Sequence, residues 1–187
     1  MAGTLRRYAE MSEVLREHVD VHHVLPVRAL NELCFGSLEG LQGGRLRDSF
    51  PDEYEAREAD KLSYRYPGVG GQSYYDLIVQ MRQVLLQIES SRRDAIVLCD
   101  VAVARVLLGY FTPCTMADIP DLRVEPGLIE LARTHAGFKR TDVPVDEGVV
   151  SMLAAIPTSP SGVSPGRAQH SFGGGLIAEP ELCHSAG

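Results

Sequence analysis

Residues 95–111 read AIVLCDVAVARVLLGYF, a strand-like run followed at once by a helical pattern. The first five residues are all apolar, which is too short for a helix and typical of a strand buried on both faces of a parallel sheet. The apolar residues that follow recur at helical spacing, at Ala102, Val103, Val106, Leu107 and Tyr110. A buried strand that passes directly into a helix indicates an α/β fold with a largely parallel sheet.

A second helical pattern precedes this unit and is the clearest in the chain. Ser73 is a favourable N-cap, and Asp76 stands three residues later, where an acidic residue stabilises the first helical turn. Apolar residues then recur on one face, which we expect to pack against the sheet. They are Leu77, Ile78, Met81, Leu85 and Ile88.

The other segments continue the alternation of strands and helices. Residues 5–15 have helical spacing, and residues 45–61 predict a charged surface helix interrupted near Pro51. Residues 19–25, 127–133 and 138–143 predict strands. The pattern indicates a three-layer α/β sandwich over residues 1–145. Residues 146–187 are rich in Pro, Gly and Ser, and we expect a largely disordered tail there because such a segment buries too little apolar surface.

Composition limits the classes of partner and compartment. There are 18 Lys and Arg against 25 Asp and Glu, a formal net charge of −7, which argues against binding of nucleic acid or a membrane surface. The chain has no apolar run of about 18 residues and begins without the apolar segment of a signal peptide. We therefore expect a cytoplasmic protein with four reduced thiols, in which Cys99 is a buried hydrophobe rather than a catalytic group. Two disulfides in a secreted domain are the alternative.

Acidic residues follow two of the predicted strands. Glu32 lies in the loop after residues 19–25, and Asp100 comes directly after residues 95–99. Ligands of parallel α/β sheets bind outside the carboxyl ends of the strands. Basic residues spaced to reach the same edge are Arg7, Arg57, Lys61 and Arg105. Cations that converge over a carboxylate suggest a phosphate ester as the substrate, with solvated surface charge as the alternative.

A series of short motifs resembles one family. The motifs are ALNEL (29–33), FPDEYEAR (50–57), DK (60–61), YRYP (64–67), QSY (72–74), VLCDVAVAR (97–105), GYF (109–111) and IPDL (119–122). In this order they resemble the bisphosphatase domain of bifunctional 6-phosphofructo-2-kinase/fructose-2,6-bisphosphatase, a branch of the histidine phosphatase superfamily. The resemblance covers roughly residues 4–145 and implies a histidine-phosphatase-like fold.

The resemblance also implies roles for the candidate residues. Arg7 would bind phosphate, and Glu32 would be the general acid that protonates the leaving 2-hydroxyl of the sugar. The 6-phosphate end of fructose 2,6-bisphosphate or fructose 6-phosphate would be held by Arg57, Lys61, Tyr74 and Arg105. No cofactor is implied. No histidines stand at metal-ligand spacing, so no metal site is expected.

The sequence departs from the family at the reaction centre. The family nucleophile is a histidine in an Arg-His-Gly motif at the end of the first strand, and this chain contains no such motif. We therefore expect the first strand and helix of the family fold to be absent. Asp100 stands where the family has a second histidine, and its carboxylate would repel phosphate unless it is protonated or paired with Arg7. A family tyrosine after the general acid falls at Gly43.

The remaining histidines are poor substitutes for the nucleophile. His135, in RTHAG (133–137), follows a late strand and so lies in the wrong part of the order. His22 and His23 are neighbours in a predicted strand, so at most one could face the core. We therefore expect His22 and His23 to be surface histidines rather than a new nucleophile.

Three functions remain open on the sequence alone. The first is a fructose-2,6-bisphosphatase whose hydrolysis is impaired for lack of the nucleophile. The second is a non-catalytic regulatory module that binds a sugar phosphate. The third is a C-terminal piece of a bifunctional kinase/phosphatase, which would expose apolar surface and associate with a kinase domain or with a second copy of itself. ATP binding is not expected, because the chain has no Gly-rich P-loop motif.

Overall fold

The computed structural model describes residues 1–41, 43–125 and 127–143, with the backbone alone at residues 43 and 44. Its helices are α1 (Arg6–His18), α2 (Gly43–Ser49), α3 (Pro51–Ala59), α4 (Tyr74–Ser90) and α5 (Val101–Phe111). Its strands are β1 (Leu128–Thr134) and β2 (Gly137–Val143). Short 3-10 turns lie at Arg28–Leu30, Gly36–Leu38 and Met116–Asp121. Within these residues no helix is long and apolar enough to cross a membrane. The predicted tail, residues 146–187, lies outside the described residues.

Three segments meet in a parallel arrangement next to α1 and α5. The Ala2 N–H donates to the Leu25 carbonyl at 3.1 Å, and the Val27 N–H donates to the Ala2 carbonyl at 2.8 Å. On the other side of Ala2, the Leu98 N–H donates to the Met1 carbonyl at 3.0 Å. These bonds give two isolated parallel bridges, from Ala2 to Pro26 and from Ala2 to Leu98. The first residues of the chain therefore lie between the two segments that precede the predicted site loops.

The predicted strands at residues 19–25 and 95–99 are shorter in the structure than the sequence suggested. No residue of 19–25 is in a strand, and the bridge to Ala2 is formed by the next residue, Pro26, while residues 95–99 are reduced to the single bridge at Leu98. The physical reason is the short partner, because only residues 1–3 run between the two segments before α1 begins. The parallel direction of pairing was predicted correctly, whereas the only named strands in the described part of the chain form an antiparallel pair. His22 and His23 are both exposed, as the surface reading requires.

Helices α4 and α5 form the centre of the core. The α4 side chains Leu77, Met81 and Leu85 are buried, as predicted, while Ile78 and Ile88 are half-buried at its edge. They pack mainly on α5 and on the turn Arg28–Leu30 rather than on a broad sheet, since the parallel segments are so short.

The start of α4 confirms the predicted cap. The Ser73 hydroxyl accepts from the Asp76 N–H at 3.2 Å, and the Asp76 carboxylate accepts from the Ser73 N–H at 2.8 Å. This reciprocal capping box satisfies backbone donors that have no partner within the helix. It also places Tyr74, the first residue of α4, at a defined position.

The predicted strands near the end of the domain are present as a hairpin. Strands β1 and β2 pair over their full length, from Leu128 opposite Val143 to Thr134 opposite Gly137. His135 lies in the connecting turn and is exposed, so it takes no part in the predicted site. Phe138 of β2 packs on Phe111 of α5, with ring centroids 4.6 Å apart, which attaches the hairpin to the helical core.

Candidate functional site

The carboxyl ends of the three parallel segments carry Arg7, Glu32 and Asp100. Arg7 lies in the first turn of α1, and Asp100 is the residue before α5. Glu32 is held nearby because Asn31 links its loop to the start of α1. The Asn31 side chain accepts from the Thr4 N–H at 2.6 Å and donates to the Thr4 hydroxyl at 2.9 Å. The topology therefore unites residues that are up to 93 positions apart in the sequence.

Arg7 bonds to both of the predicted acidic residues. Its Nη2 donates to Glu32 Oε2 at 2.8 Å and to Asp100 Oδ2 at 2.8 Å. The Tyr8 hydroxyl donates to the same Asp100 oxygen, and the Arg7 guanidinium lies 5.1 Å from the centre of the Tyr8 ring. We call Arg7, Tyr8, Glu32 and Asp100 the carboxylate cluster. A carboxylate near phosphate is tolerated if it is protonated or paired with a cation, and the bond between Asp100 and Arg7 provides the second of these conditions.

The protonation of this cluster follows from its burial and its pairing. Burial raises the pKa of Glu32, and the charges of Asp100 and Glu39 act in the same direction against the opposing bond from Arg7. Burial and the bond to Asp100 also raise the pKa of Tyr8, so its hydroxyl remains a donor. Burial disfavours the charge on Arg7, but the bond to Glu32 and the charge of Asp100 outweigh it and raise the pKa of Arg7.

A second group of residues presents cations held by tyrosines. Arg57 of α3 donates through Nε to the Tyr66 hydroxyl at 3.0 Å. Arg105 of α5 donates through Nη1 to the Tyr74 hydroxyl at 2.9 Å and through Nε to the Leu122 carbonyl at 2.9 Å. Arg57 also pairs with Glu58, whereas Arg105 pairs with no carboxylate in the described part of the chain. We call Arg57, Tyr66, Tyr74 and Arg105 the cationic end.

The cationic end and two members of the carboxylate cluster, Glu32 and Asp100, line one cavity of about 220 Å³. Its lining includes five of the seven residues predicted for the site, and Arg7 bonds to two of those five. A cavity of this size is below the roughly 300–1,000 Å³ of pockets for drug-sized ligands, so it suits a small metabolite. The lining residues are Glu32, Leu33, Phe35, Arg57, Tyr66, Tyr74, Asp100, Val101, Ala102 and Arg105.

The aromatic wall of this cavity depends on a close contact between two loops. Gly36 has a φ of +58°, and a Cβ at this position would lie 2.2 Å from the Pro67 carbonyl oxygen. Only glycine therefore permits this approach, which the bond from the Ser37 N–H to the same carbonyl completes at 2.8 Å. The contact brings Phe35 edge-on to Tyr66, with ring centroids 4.7 Å apart.

Lys61, like Arg7, is a predicted site residue that does not line the cavity, and unlike Arg7 it is paired with residues outside the lining. Its Nζ donates to Asp121 at 2.6 Å and lies 3.2 Å from Glu58. Both pairings satisfy the ammonium on the protein itself. Lys61 is thus adjacent to the cationic end through Glu58, without lining the same space.

Cys99 does not have the properties of a nucleophile. Burial raises the pKa of its thiol to about 12, and the charge of Asp100 adds to this, so almost no thiolate forms at neutral pH. The cysteines in the described part of the chain, Cys34, Cys99 and Cys114, are free thiols. In residues 1–41, 43–125 and 127–143, no group of three His, Cys, Asp or Glu side chains could hold a metal ion.

Two tyrosines of the site were missed by sequence reasoning. Tyr8 falls in the helix predicted over residues 5–15 and Tyr66 in the YRYP motif (64–67), and neither was given a role in the site. Both are buried, and a buried tyrosine hydroxyl usually bonds to a partner, which was the available signal. That signal does not name the partner, and here the partners lie 92 and 9 residues away.

Comparison with known proteins agrees with this architecture. The model of the histidine phosphatase superfamily (branch 1) matches residues 1–144. A probable 6-phosphofructo-2-kinase of Schizosaccharomyces pombe is 39% identical over 103 residues, which cover 55% of this chain and 15% of that protein. The 6-phosphofructo-2-kinase/fructose-2,6-bisphosphatase 3 of Homo sapiens is 40% identical over 96 residues, covering 51% of this chain and 18% of that protein. The chain therefore spans less than a fifth of either relative.

Solved structures share the fold at low sequence identity. A protein described as mycobacterial hydrolase 2 has a TM-score of 0.61 at 17% identity, covering 82% of this chain and 75% of its own. A mycobacterial glucosyl-3-phosphoglycerate phosphatase with VO3 has a TM-score of 0.58 at 18% identity, covering 75% of this chain and 72% of its own. The fold is thus α/β, and with the match over residues 1–144 the chain belongs to the histidine phosphatase superfamily, as a domain related to bifunctional 6-phosphofructo-2-kinase/fructose-2,6-bisphosphatase.

Proposed function

We propose that this domain binds a small phosphorylated sugar of fructose 2,6-bisphosphate metabolism in the cavity of about 220 Å³. The observation that carries the proposal is the convergence of Glu32, Asp100, Arg57 and Arg105 on one small space. Guanidinium groups bind a phosphate through paired hydrogen bonds, and here tyrosine hydroxyls hold two of them in place. The names of the relatives, which include fructose-2,6-bisphosphatase, favour a sugar phosphate over other phosphate esters.

We further propose that the chain, taken alone, turns over this ligand poorly. It contains no Arg-His-Gly motif, and Asp100 occupies the position of the second family histidine. Loss of a nucleophile from a catalytic unit lowers turnover by about a millionfold. Glu32 keeps the property needed of a general acid, since burial raises its pKa. The domain would then bind the ligand as a regulatory module, alone or beside a kinase domain.

Calorimetric titration of the chain with fructose 6-phosphate and fructose 2,6-bisphosphate tests the binding proposal. We expect saturable binding of at least one of the two sugars, and Arg105→Ala should weaken it by about a hundredfold. Absence of binding of both at millimolar concentration, in a chain shown to be folded by circular dichroism, would overturn it.

Incubation with fructose 2,6-bisphosphate labelled at the 2-phosphate tests the proposed lack of turnover. We expect neither a labelled protein nor release of phosphate above the level of an Arg7→Ala variant. A phosphoprotein that is stable to base and labile to acid, as a phosphohistidine is, would show instead that a histidine of this chain acts as a nucleophile.

A further inference from the structure

The two ends of the cavity differ in the chemistry that they offer to a ligand. At the cationic end, Arg105 has a tyrosine hydroxyl and a backbone carbonyl as its protein partners. At the carboxylate cluster, the single guanidinium of Arg7 is shared by two carboxylates. Two formal negative charges there face one positive charge, so this end is acidic. One phosphate group thus finds a favourable place at the first end only.

A phosphate at the carboxylate cluster would meet two obstacles. Its oxygens would have to compete with Glu32 and Asp100 for Arg7 Nη2, which already bonds to each of them at 2.8 Å. They would also lie close to the Asp100 carboxylate, with like-charge repulsion in a partly buried space. Tyr8 strengthens both effects, because its hydroxyl donates to Asp100 Oδ2 and holds that carboxylate in place.

A sugar hydroxyl meets neither obstacle. It is uncharged and can donate a hydrogen bond to a carboxylate oxygen while Arg7 stays paired. We propose that Asp100, positioned by Tyr8 and Arg7, is a specificity-determining residue that makes this cavity select a sugar monophosphate against the corresponding bisphosphate. The phosphate of the bound sugar lies at Arg57 and Arg105, and its hydroxyls face Glu32 and Asp100. This inference rests on the proposed function, since it assumes a sugar phosphate in the cavity.

Affinities of the whole chain for fructose 6-phosphate and fructose 2,6-bisphosphate, measured by calorimetry, test this selectivity. We expect the wild-type chain to prefer the monophosphate by at least tenfold. Asp100→Asn keeps the shape and an oxygen that accepts from Arg7 and Tyr8, and it should reduce that preference by tenfold or more. Asp142→Asn is the matched control, because Asp142 pairs with Arg140 at 2.8 Å outside this cavity, and it should leave the ratio unchanged.

Each other result has a defined meaning. If the wild-type chain binds both sugars equally, or prefers the bisphosphate, the selectivity assigned to Asp100 is wrong while the proposed sugar-phosphate site stands. The same holds if Asp100→Asn leaves the ratio unchanged. If the folded chain binds neither sugar, the proposed function itself fails. Tyr8→Phe supplies an independent check, since losing the hydroxyl should relax the preference in the same direction by a smaller factor.

Discussion

The cationic end and the carboxylate cluster lie in one cavity but hold their arginines in opposite ways. Arg57 and Arg105 are each held by a tyrosine hydroxyl, which orients a guanidinium without cancelling its charge, and although Arg57 also pairs with Glu58, Arg105 has no carboxylate partner in the described part of the chain. Arg7 is held by two carboxylates, which orient it and more than neutralise it. The comparison shows that the number of arginines in a cavity does not set its affinity for anions. The partner of each arginine decides whether its charge is available to a ligand.

The largest expected effect comes from removing the arginine of the cationic end that has no carboxylate partner. Arg105→Ala should weaken binding of fructose 6-phosphate by about a hundredfold, because a hydrogen bond to a charged group contributes about 1.5–3 kcal/mol. Arg133→Ala is the control. Arg133 lies on the hairpin, donates to the Glu89 backbone carbonyl and does not line the cavity. Calorimetry gives both affinities. An effect of Arg105→Ala no larger than that of the control would contradict the assignment of the cationic end.

The tyrosine support of the cationic end can be tested with a smaller change. Tyr66→Phe keeps the buried ring but leaves Arg57 Nε without its acceptor at 3.0 Å. We expect affinity for fructose 6-phosphate to fall about threefold to tenfold, since a typical intramolecular hydrogen bond contributes about 0.5–1.5 kcal/mol.

The matched control for this change is Tyr64→Phe. The Tyr64 hydroxyl donates to Glu53 at 2.6 Å, and Tyr64 does not line the cavity. The control should therefore leave the affinity unchanged. Equal losses in the two variants would mean that general loosening of the aromatic wall, rather than the support of Arg57, lowers the affinity.

At the carboxylate cluster, the raised pKa of Glu32 predicts a pH effect on stability. The folded chain holds a proton on Glu32 more readily than the unfolded chain does. Its contribution to the free energy of unfolding is therefore fully present below the unfolded pKa of about 4.3, and is lost as pH rises through the higher folded value. Glu32→Gln cannot titrate, so it should gain stability relative to the wild type as pH rises from about 4 to about 7.

Urea unfolding of both chains across this pH range measures the effect. The change in their stability difference should stay below about 1 kcal/mol, because 36% of the Glu32 side chain is exposed and solvent screens its charge. A difference that is constant with pH would show that the pKa of Glu32 is not raised in the folded chain.

The smallest effect is expected at Lys61, which the family resemblance assigns to substrate binding. Its ammonium is paired with Asp121 and Glu58, so Lys61→Ala should change affinity for fructose 6-phosphate by less than about threefold, in the range of exposed ion pairs. Calorimetry again gives the value. A loss comparable with that of Arg105→Ala would mean that Lys61 exchanges Asp121 for the ligand, and that the cationic end extends to it.

Much of the helical structure could be predicted from the sequence. The Ser73 cap, the apolar stripe of α4 and the run into α5 are local patterns, because caps and helical faces are set by residues three or four positions apart. The two strands of the hairpin were also predicted, at residues 127–133 and 138–143, but their antiparallel pairing was not. The lengths of the strands at residues 19–25 and 95–99 were not, since a strand extends only as far as its partner.

The candidate site likewise has a part that could be predicted from the sequence and a part that could not. The sequence and its family resemblance predicted Glu32, Asp100, Arg57, Tyr74 and Arg105 as site residues, and these five line one cavity, while their roles stay predictions. Only the folded chain shows that Arg7 bonds to both carboxylates, that Tyr8 and Tyr66 support the two ends, and that Lys61 pairs with Asp121. These partners come from different helices and loops. Their choice depends on how the segments pack in three dimensions, and no local pattern of residue types carries that information.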